Sequence, residues 1–164
     1  VNDYDYTKGT MRIAFRHDVG LDLRYLIARV TGAPVHVVTI YDDTVVDATF
    51  NGVLLRTVDA RFASGRWEVY TVDASYFNVQ AAKRLALSRV GVRYDWWGVL
   101  VAWWIGRRGG EGARTKLFCS EQCAGELLAA GVPLRYQRAA RYTPRLLRDE
   151  LRSRLGWTPT WIDR

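Results

Sequence analysis

The sequence is short of the residues that build disulfide scaffolds, metal centres and membrane spans. It holds two cysteines in 164 residues, too few for a disulfide framework. They stand four apart, Cys119 and Cys123, and on one helix that separation and direction oppose a bridge. Two histidines, His17 and His36, are all the chain contains. With no histidine pair and no close cysteine pairing, neither a metal nor a cofactor is expected. The longest apolar run, Trp96 to Gly106, has eleven residues, against roughly 20 for a spanning helix, so no transmembrane segment is expected. Val1 to Thr10 is polar and lacks the charged-then-apolar order of a secretory leader. The chain is therefore read as soluble, and cytoplasmic when synthesised. Gly109-Gly110-Glu111-Gly112 lacks the Lys-Ser/Thr and the strand-to-helix setting of a nucleotide loop.

What is present suits one folded domain over residues 1–164. A hydrophobic share of 49% with 25% charged residues excludes wholesale disorder and allows a single core at this length. The net charge of +7 favours anionic neighbours without selecting one. Arg145, Arg148 and Arg152 recur along one face of the last helix, with Arg135, Arg138 and Arg141 upstream. This arginine stripe is read as a solvated face in preference to a nucleic-acid site. Trp96, Trp97, Trp103 and Trp104 share a helical face and are read as core packing.

The hydrophobic pattern gives strands at Met11–Phe15, Pro34–Tyr41, Thr44–Phe50, Val53–Val58 and Arg66–Val72. Asp42-Asp43 turns the second into the third, and Asn51-Gly52 is the strongest hairpin signal in the chain. Helical spacing appears over Asp18–Thr31, from Phe77 to Val90, and over Asp95–Ile105. A glycine-rich loop, Arg107–Thr115, follows, and Leu117-Phe118 is extended. Cys119 then opens a helix that runs to Ala130, stopped by Gly131 and Pro133. Thr143-Pro144 caps and starts a last helix reaching about Leu155.

Cys119 is the candidate nucleophile. A thiol attacks as thiolate, and a helix N-terminus with a nearby imidazole lowers its pKa from about 8.5 toward neutral. The same helix start offers N–H groups to a developing oxyanion. Cys123, one turn inside, is read as a buried packing residue, and His17, at a strand end, as a surface or capping residue. His36 is the candidate base. With Asp42-Asp43 as the turn, Tyr41 faces Thr44, Val38 faces Asp47 and His36 faces Thr49. His36, Val38, Asp47 and Thr49 then share one face. Asp47, diagonal to His36 at about 7–8 Å between backbones, can reach the imidazole and fix its orientation. Thr49 is the substitute.

Five segments in order resemble the circularly permuted papain-like hydrolases. These are the YiiX-like relatives of NlpC-type cell-wall peptidases and of lecithin:retinol acyltransferase. The segments are Thr31-Gly-Ala-Pro-Val-His36-Val-Val-Thr-Ile-Tyr41, Val45-Val-Asp47-Ala, Gly91-Val-Arg-Tyr94-Asp95-Trp-Trp-Gly98, Phe118-Cys119-Ser120-Glu121 and Tyr142-Thr-Pro144. They span roughly residues 11 to 150.

The resemblance implies an α+β, permuted papain-like fold whose small antiparallel sheet brings the histidine against the cysteine helix. It also implies the permuted order, His36 before Cys119, and a third polar residue at Asp47, where many relatives have Glu or His. Tyr94 matches a tyrosine common in the family. By the same resemblance the activity is a cysteine-dependent amide hydrolase acting on a peptide or on peptidoglycan. A lipid or thioester hydrolase or acyltransferase is the near alternative. Phage-encoded members resemble the Tyr-Asp-Trp-Trp-Gly and Phe-Cys-Ser-Glu segments, which adds a structural tail or baseplate subunit, partnered by phage tail proteins in a virion, as a further alternative.

Overall fold

The computed structural model describes residues 9–18, 34–49, 51–94 and 116–163. Its frame is a six-stranded antiparallel sheet. The strands are β1 (Met11–Arg16), β2 (His36–Tyr41), β3 (Thr44–Thr49), β4 (Gly52–Thr57), β5 (Arg66–Val72) and β8 (Thr160–Asp163). They lie in the order β4-β3-β2-β1-β5-β8. Two short strands, β6 (Arg93–Tyr94) and β7 (Lys116–Leu117), pair in parallel beside it. The helices are α1 (Val58–Arg61), α2 (Val79–Ser88), α3 (Cys119–Ala129) and α4 (Pro144–Asp149), the last continuing as a π-helical turn over Glu150–Arg154. The fold is thus α+β. Among the described residues no helix is long and apolar enough to cross a membrane.

Strand alternation divides the core into two layers. Met11, Ile13, Phe15, Val37, Tyr41, Val46 and Ala48 face the helices. There they meet Val79, Ala82 and Ala86 of α2, Cys123 and Leu127 of α3, and Leu147 and Leu151 of the last helix. Ala14, Val38, Ile40, Val45 and Val69 face the other way, under Phe62 and Trp67. Each buried Val, Leu, Ile or Phe is worth about 1.5–3 kcal/mol relative to exposure, so register is strongly specified on both faces of the central strands.

The β2–β3 hairpin has the expected register, with Tyr41 opposite Thr44, Ile40 opposite Val45 and Thr39 opposite Val46. Asp42 holds φ 54 at its turn, a left-handed conformation that Asp tolerates. The turn is tied down by the Thr10 amide, just before β1, donating to Asp42 Oδ1 (3.2 Å) and by Lys83 of α2 donating to Oδ2 (3.1 Å).

The next hairpin departs from expectation. Thr49 pairs with Gly52, so Gly52 is already in the ladder and does not complete an Asn-Gly turn. Its φ is +99, and a Cβ there would sit 2.6 Å from the Val92 carbonyl oxygen. Close approach of a neighbouring loop, together with the backbone conformation, is what requires glycine. Gly52→Ala is accordingly expected to destabilise the protein by more than about 1 kcal/mol, measured as a lowered thermal midpoint.

Three further differences are found. The fourth strand ends at Thr57, where the threonine hydroxyl caps a short helix by accepting from the Ala60 amide, so Val58 is helical and not strand. The last helix changes to π-type hydrogen bonding at Glu150, whose carboxylate accepts from the Arg135 amide (2.6 Å) and pairs with Arg154 (2.5 Å). Strand β8, unforeseen, pairs with β5 from Val69–Thr160 to Arg66–Asp163. The helices expected at Asp18–Thr31 and Asp95–Ile105, and the Arg107–Thr115 loop, lie outside the described residues, apart from Asp18 itself.

Candidate active site

The hairpin places His36 at the first position of β2, where its Nε2–H donates to Asp47 Oδ1 at 2.7 Å. Both belong to the sheet face opposite the helices, since Val38 and Val45 do and alternation carries His36 and Asp47 with them. Asp47 is 1% exposed along its side chain, and the imidazole 15%. An engaged Nε2 leaves Nδ1 as the ring nitrogen facing elsewhere.

Cys119 arrives from the opposite layer. It is the first residue of α3, and Phe118 at the N-cap supplies no side-chain hydrogen bond. The first-turn N–H groups are therefore not claimed by a capping side chain. Ser120 donates to the Tyr142 carbonyl at 2.6 Å and fixes the turn in place. At the end of β2 the thiol meets the imidazole: Cys119 and His36 share a hydrogen bond, and the Val37 amide donates to the sulfur. Cys119 is 5% exposed.

Burial alone would raise the Cys119 thiol, but the adjacent His36 charge and hydrogen bond, with the Val37 amide, bring it below its ordinary value. Burial alone would depress His36; the Cys119 charge and the Asp47 hydrogen bond outweigh it and push the imidazole up to about 9. Both displacements favour the same state, a thiolate beside an imidazolium. Asp47 stays ionised despite burial, because His36, Arg61 and Arg56 hold its carboxyl below its ordinary value.

Those two arginines were not anticipated. Arg61 Nε lies 2.7 Å from Asp47 Oδ2, and Arg56 Nε lies 3.5 Å from the same oxygen. The Arg61 Nε makes no well-aligned hydrogen bond, so at this nitrogen the contact is an ion pair. Its guanidinium stacks on Trp67 at 4.7 Å. Arg56 was within reach of hairpin reasoning, because Asp47 faces Leu54 and a residue two further along shares that face. Arg61 depends on α1 folding back, signalled only by the weak Thr57-Val-Asp59 start.

The remaining candidates fall elsewhere. Thr49 closes its own hairpin, donating to the Gly52 carbonyl and accepting from the Asn51 amide. His17 is not a plain surface residue: its Nε2 is 2.6 Å from the buried Glu68, which also accepts from Tyr70 at 2.5 Å. Cys123 is 1% exposed in the helix-side core, its thiol pushed up by burial first and by Glu126 second. Both cysteines are free thiols. The Tyr94 side chain and the tryptophans at 96, 97, 103 and 104 lie outside the described residues. Among the described residues, no group of three or more His, Cys, Asp and Glu could hold a metal ion.

Behind the thiol-bearing turn lies a buried polar knot. Glu126, fully buried, accepts from Tyr41 at 2.8 Å and from Gln122, and Arg89 donates to Gln122 at 3.4 Å. The Arg89 guanidinium crosses Gly125 so closely that a Cβ there would be 2.7 Å from it. Burial pushes the Glu126 carboxyl from 4.5 up to about 7 despite these partners. The folded protein then keeps a proton that the unfolded chain releases from about pH 4.5. This group's contribution is largest below 4.5, falls by roughly 3 kcal/mol as pH rises to 7, and is level above that. Glu126→Gln removes the titration, so its stability relative to wild type is expected to climb between pH 4.5 and 7. Parallel denaturation curves across that range would contradict the assignment.

No family model matches the chain, and no curated protein or solved structure matches it either.

Proposed function

We propose that the protein is a cysteine-dependent hydrolase in which Cys119 is the nucleophile, His36 the base and acid, and Asp47 the residue that orients the imidazole. One observation supports the reading above all others: a helix-start thiol and an imidazole held in contact, with both proton affinities displaced toward the ion pair. Buried polar contacts of this kind are costly unless complete, and a role in chemistry explains why an apolar core position holds one.

The steps follow from the geometry. The Cys119 thiolate attacks a carbonyl carbon, and the tetrahedral oxyanion forms beside the uncapped first turn of α3. The His36 imidazolium protonates the leaving amine as the carbon–nitrogen bond breaks. Neutral His36 then takes a proton from water, which attacks the thioester; the tetrahedral intermediate collapses, releasing the acid and expelling the thiolate, which restores the thiolate–imidazolium pair. Asp47 keeps Nε2 engaged throughout, so that Nδ1 is the nitrogen exchanging protons with the thiol and the substrate.

The fold reading goes with it. A small antiparallel sheet against a cysteine-headed helix, with histidine ahead of cysteine in the chain, is the arrangement of the permuted papain-like hydrolases that the sequence resembles. On that resemblance the bond cleaved is an amide of a peptide, in peptidoglycan stem peptides. Incubation with purified sacculi tests this. New free amines are expected with the wild-type protein and not with Cys119→Ala. Release of fatty acid from acylated substrates, with sacculi left intact, would overturn the peptidase reading and leave the thiol mechanism standing.

A further inference from the structure

Strand β2 and helix α3 meet at the thiol, and they are tied together a second time well behind it. At the front, Cys119 of α3 takes a hydrogen bond from the Val37 amide and shares one with His36, both of β2. At the rear, Tyr41 of β2 donates to Glu126 Oε2 of α3 at 2.8 Å. Val37 and Tyr41 stand four residues apart on a strand, about 13 Å. Cys119 and Glu126 stand seven apart on a helix, about 10 Å. Helix α3 therefore lies along β2 and is fastened near both ends. The rear fastening is closed off from water, with Glu126 fully buried and Tyr41 nearly so. Gln122, one turn earlier on α3, donates to the other carboxylate oxygen and takes a long bond from Arg89 at the end of α2 (3.4 Å). The carboxyl is thus also held from a third element. Thr39 of β2 lies against it without a well-aligned bond. Burial first, and the Glu126 charge second, push the Tyr41 hydroxyl up, so Tyr41 keeps its proton. A hydroxyl can donate to a carboxylate or accept from a carboxylic acid, and the contact survives the titration of Glu126.

We propose that Glu126 is a positioning residue: through Tyr41 it fixes the register of α3 on β2 and so holds the Cys119 sulfur against His36. Apolar packing does this poorly. The core-facing side chains of α3 include Cys123, Ala124 and Leu127, two of them small, and apolar burial is non-directional. A hydrogen bond is directional. A carboxyl in an apolar core opposes folding unless it is bonded, and fixing register is the best-attested use of such groups. This role rests on the reading of Cys119 and His36 as nucleophile and base, and adds the contact that keeps them together.

Alkylation of the whole chain by iodoacetamide across pH, mapped to Cys119, reads the pairing itself and not the stability of the fold. Tyr41→Phe/Glu126→Leu replaces both partners by apolar groups, a change close to neutral for folding, and removes the rear contact. At about pH 6.5 its Cys119 is expected to react roughly tenfold more slowly than in wild type, because the thiol returns toward its ordinary value. Tyr41→Phe alone is expected to move the profile the same way by less, and it decides the matter if the double variant does not fold. Glu126→Gln keeps an oxygen that accepts from Tyr41 and is expected to keep the wild-type profile. Val72→Ala opens a cavity in the same core on β5, two strands from β2. It is expected to lower the thermal midpoint and leave the profile in place. A double-variant profile that overlies a depressed wild-type profile overturns the positioning role and leaves the Cys119–His36 pair standing. An equal displacement in Val72→Ala does the same. An ordinary thiol profile in the wild type overturns the pair, and the positioning role with it.

Discussion

His36→Ala is expected to lower kcat/KM for amide cleavage by roughly four orders of magnitude, with the fold retained. The size of the loss follows from the two tasks assigned to the ring. In the proposed mechanism it holds Cys119 as thiolate, and its imidazolium supplies the proton the leaving amine needs. Among the described residues the other histidine, His17, offers no substitute, because it is committed to Glu68 at 2.6 Å. Folding should survive because Asp47 keeps Arg61 and Arg56 as partners when the imidazole is removed. Measured by hydrolysis and by thermal melting on the same preparation, a large rate loss with a small change in midpoint is the expected pattern. A rate within tenfold of wild type would show that the imidazole does neither task.

Asp47→Asn is expected to act on rate and stability together. The amide oxygen can still accept from His36 Nε2, so the ring stays in place, but the charge that supports the imidazolium is gone. A loss of roughly 10²–10⁴ in kcat is the range for weakening general acid–base catalysis. The same substitution leaves Arg61, only 16% exposed along its side chain, without its counter-charge. Breaking a buried pair from one side costs about 3–5 kcal/mol, less here to the extent that Arg61 is wetted. Arg61→Met separates the two effects. It spares the Asp47–His36 hydrogen bond and removes a cation that competes for the carboxylate, so His36 is expected to hold its proton to a higher pH than its present value of about 9. NMR titration of the His36 ring reads that shift directly. A fall, or no change, would mean that Arg61 does not draw on the Asp47 charge.

The parts of this site that were legible in the sequence are those set by local rules. Asp42-Asp43 fixed a two-residue turn, the turn fixed the register, and period-two alternation put His36 and Asp47 on one face. Cys119 at a helix start was readable from the stop of an extended segment and the apolar spacing through Leu127. The illegible parts depend on contacts distant in sequence. Strand β8 has four residues, mostly exposed, and its pairing with β5 is invisible without the fold. Gly52 looked like half of an Asn-Gly turn, and its real constraint is the Val92 carbonyl, forty residues away. Arg61 reaches Asp47 only because α1 folds back under Trp67. Nothing in the spacing of Glu126 announces that Tyr41 and Gln122 enclose it.

The central claim is that Cys119 exists as a thiolate paired with His36, and alkylation of Cys119 as a function of pH tests it most directly. Peptide mapping assigns the modification to Cys119, while Cys123, buried and with its thiol pushed up, serves as the internal reference. The account predicts reactivity that persists well below pH 8 in the wild-type protein and retreats in His36→Ala toward the ordinary thiol midpoint of about 8.5 or above. A wild-type profile that already titrates as an ordinary thiol, unchanged by His36→Ala, would contradict it.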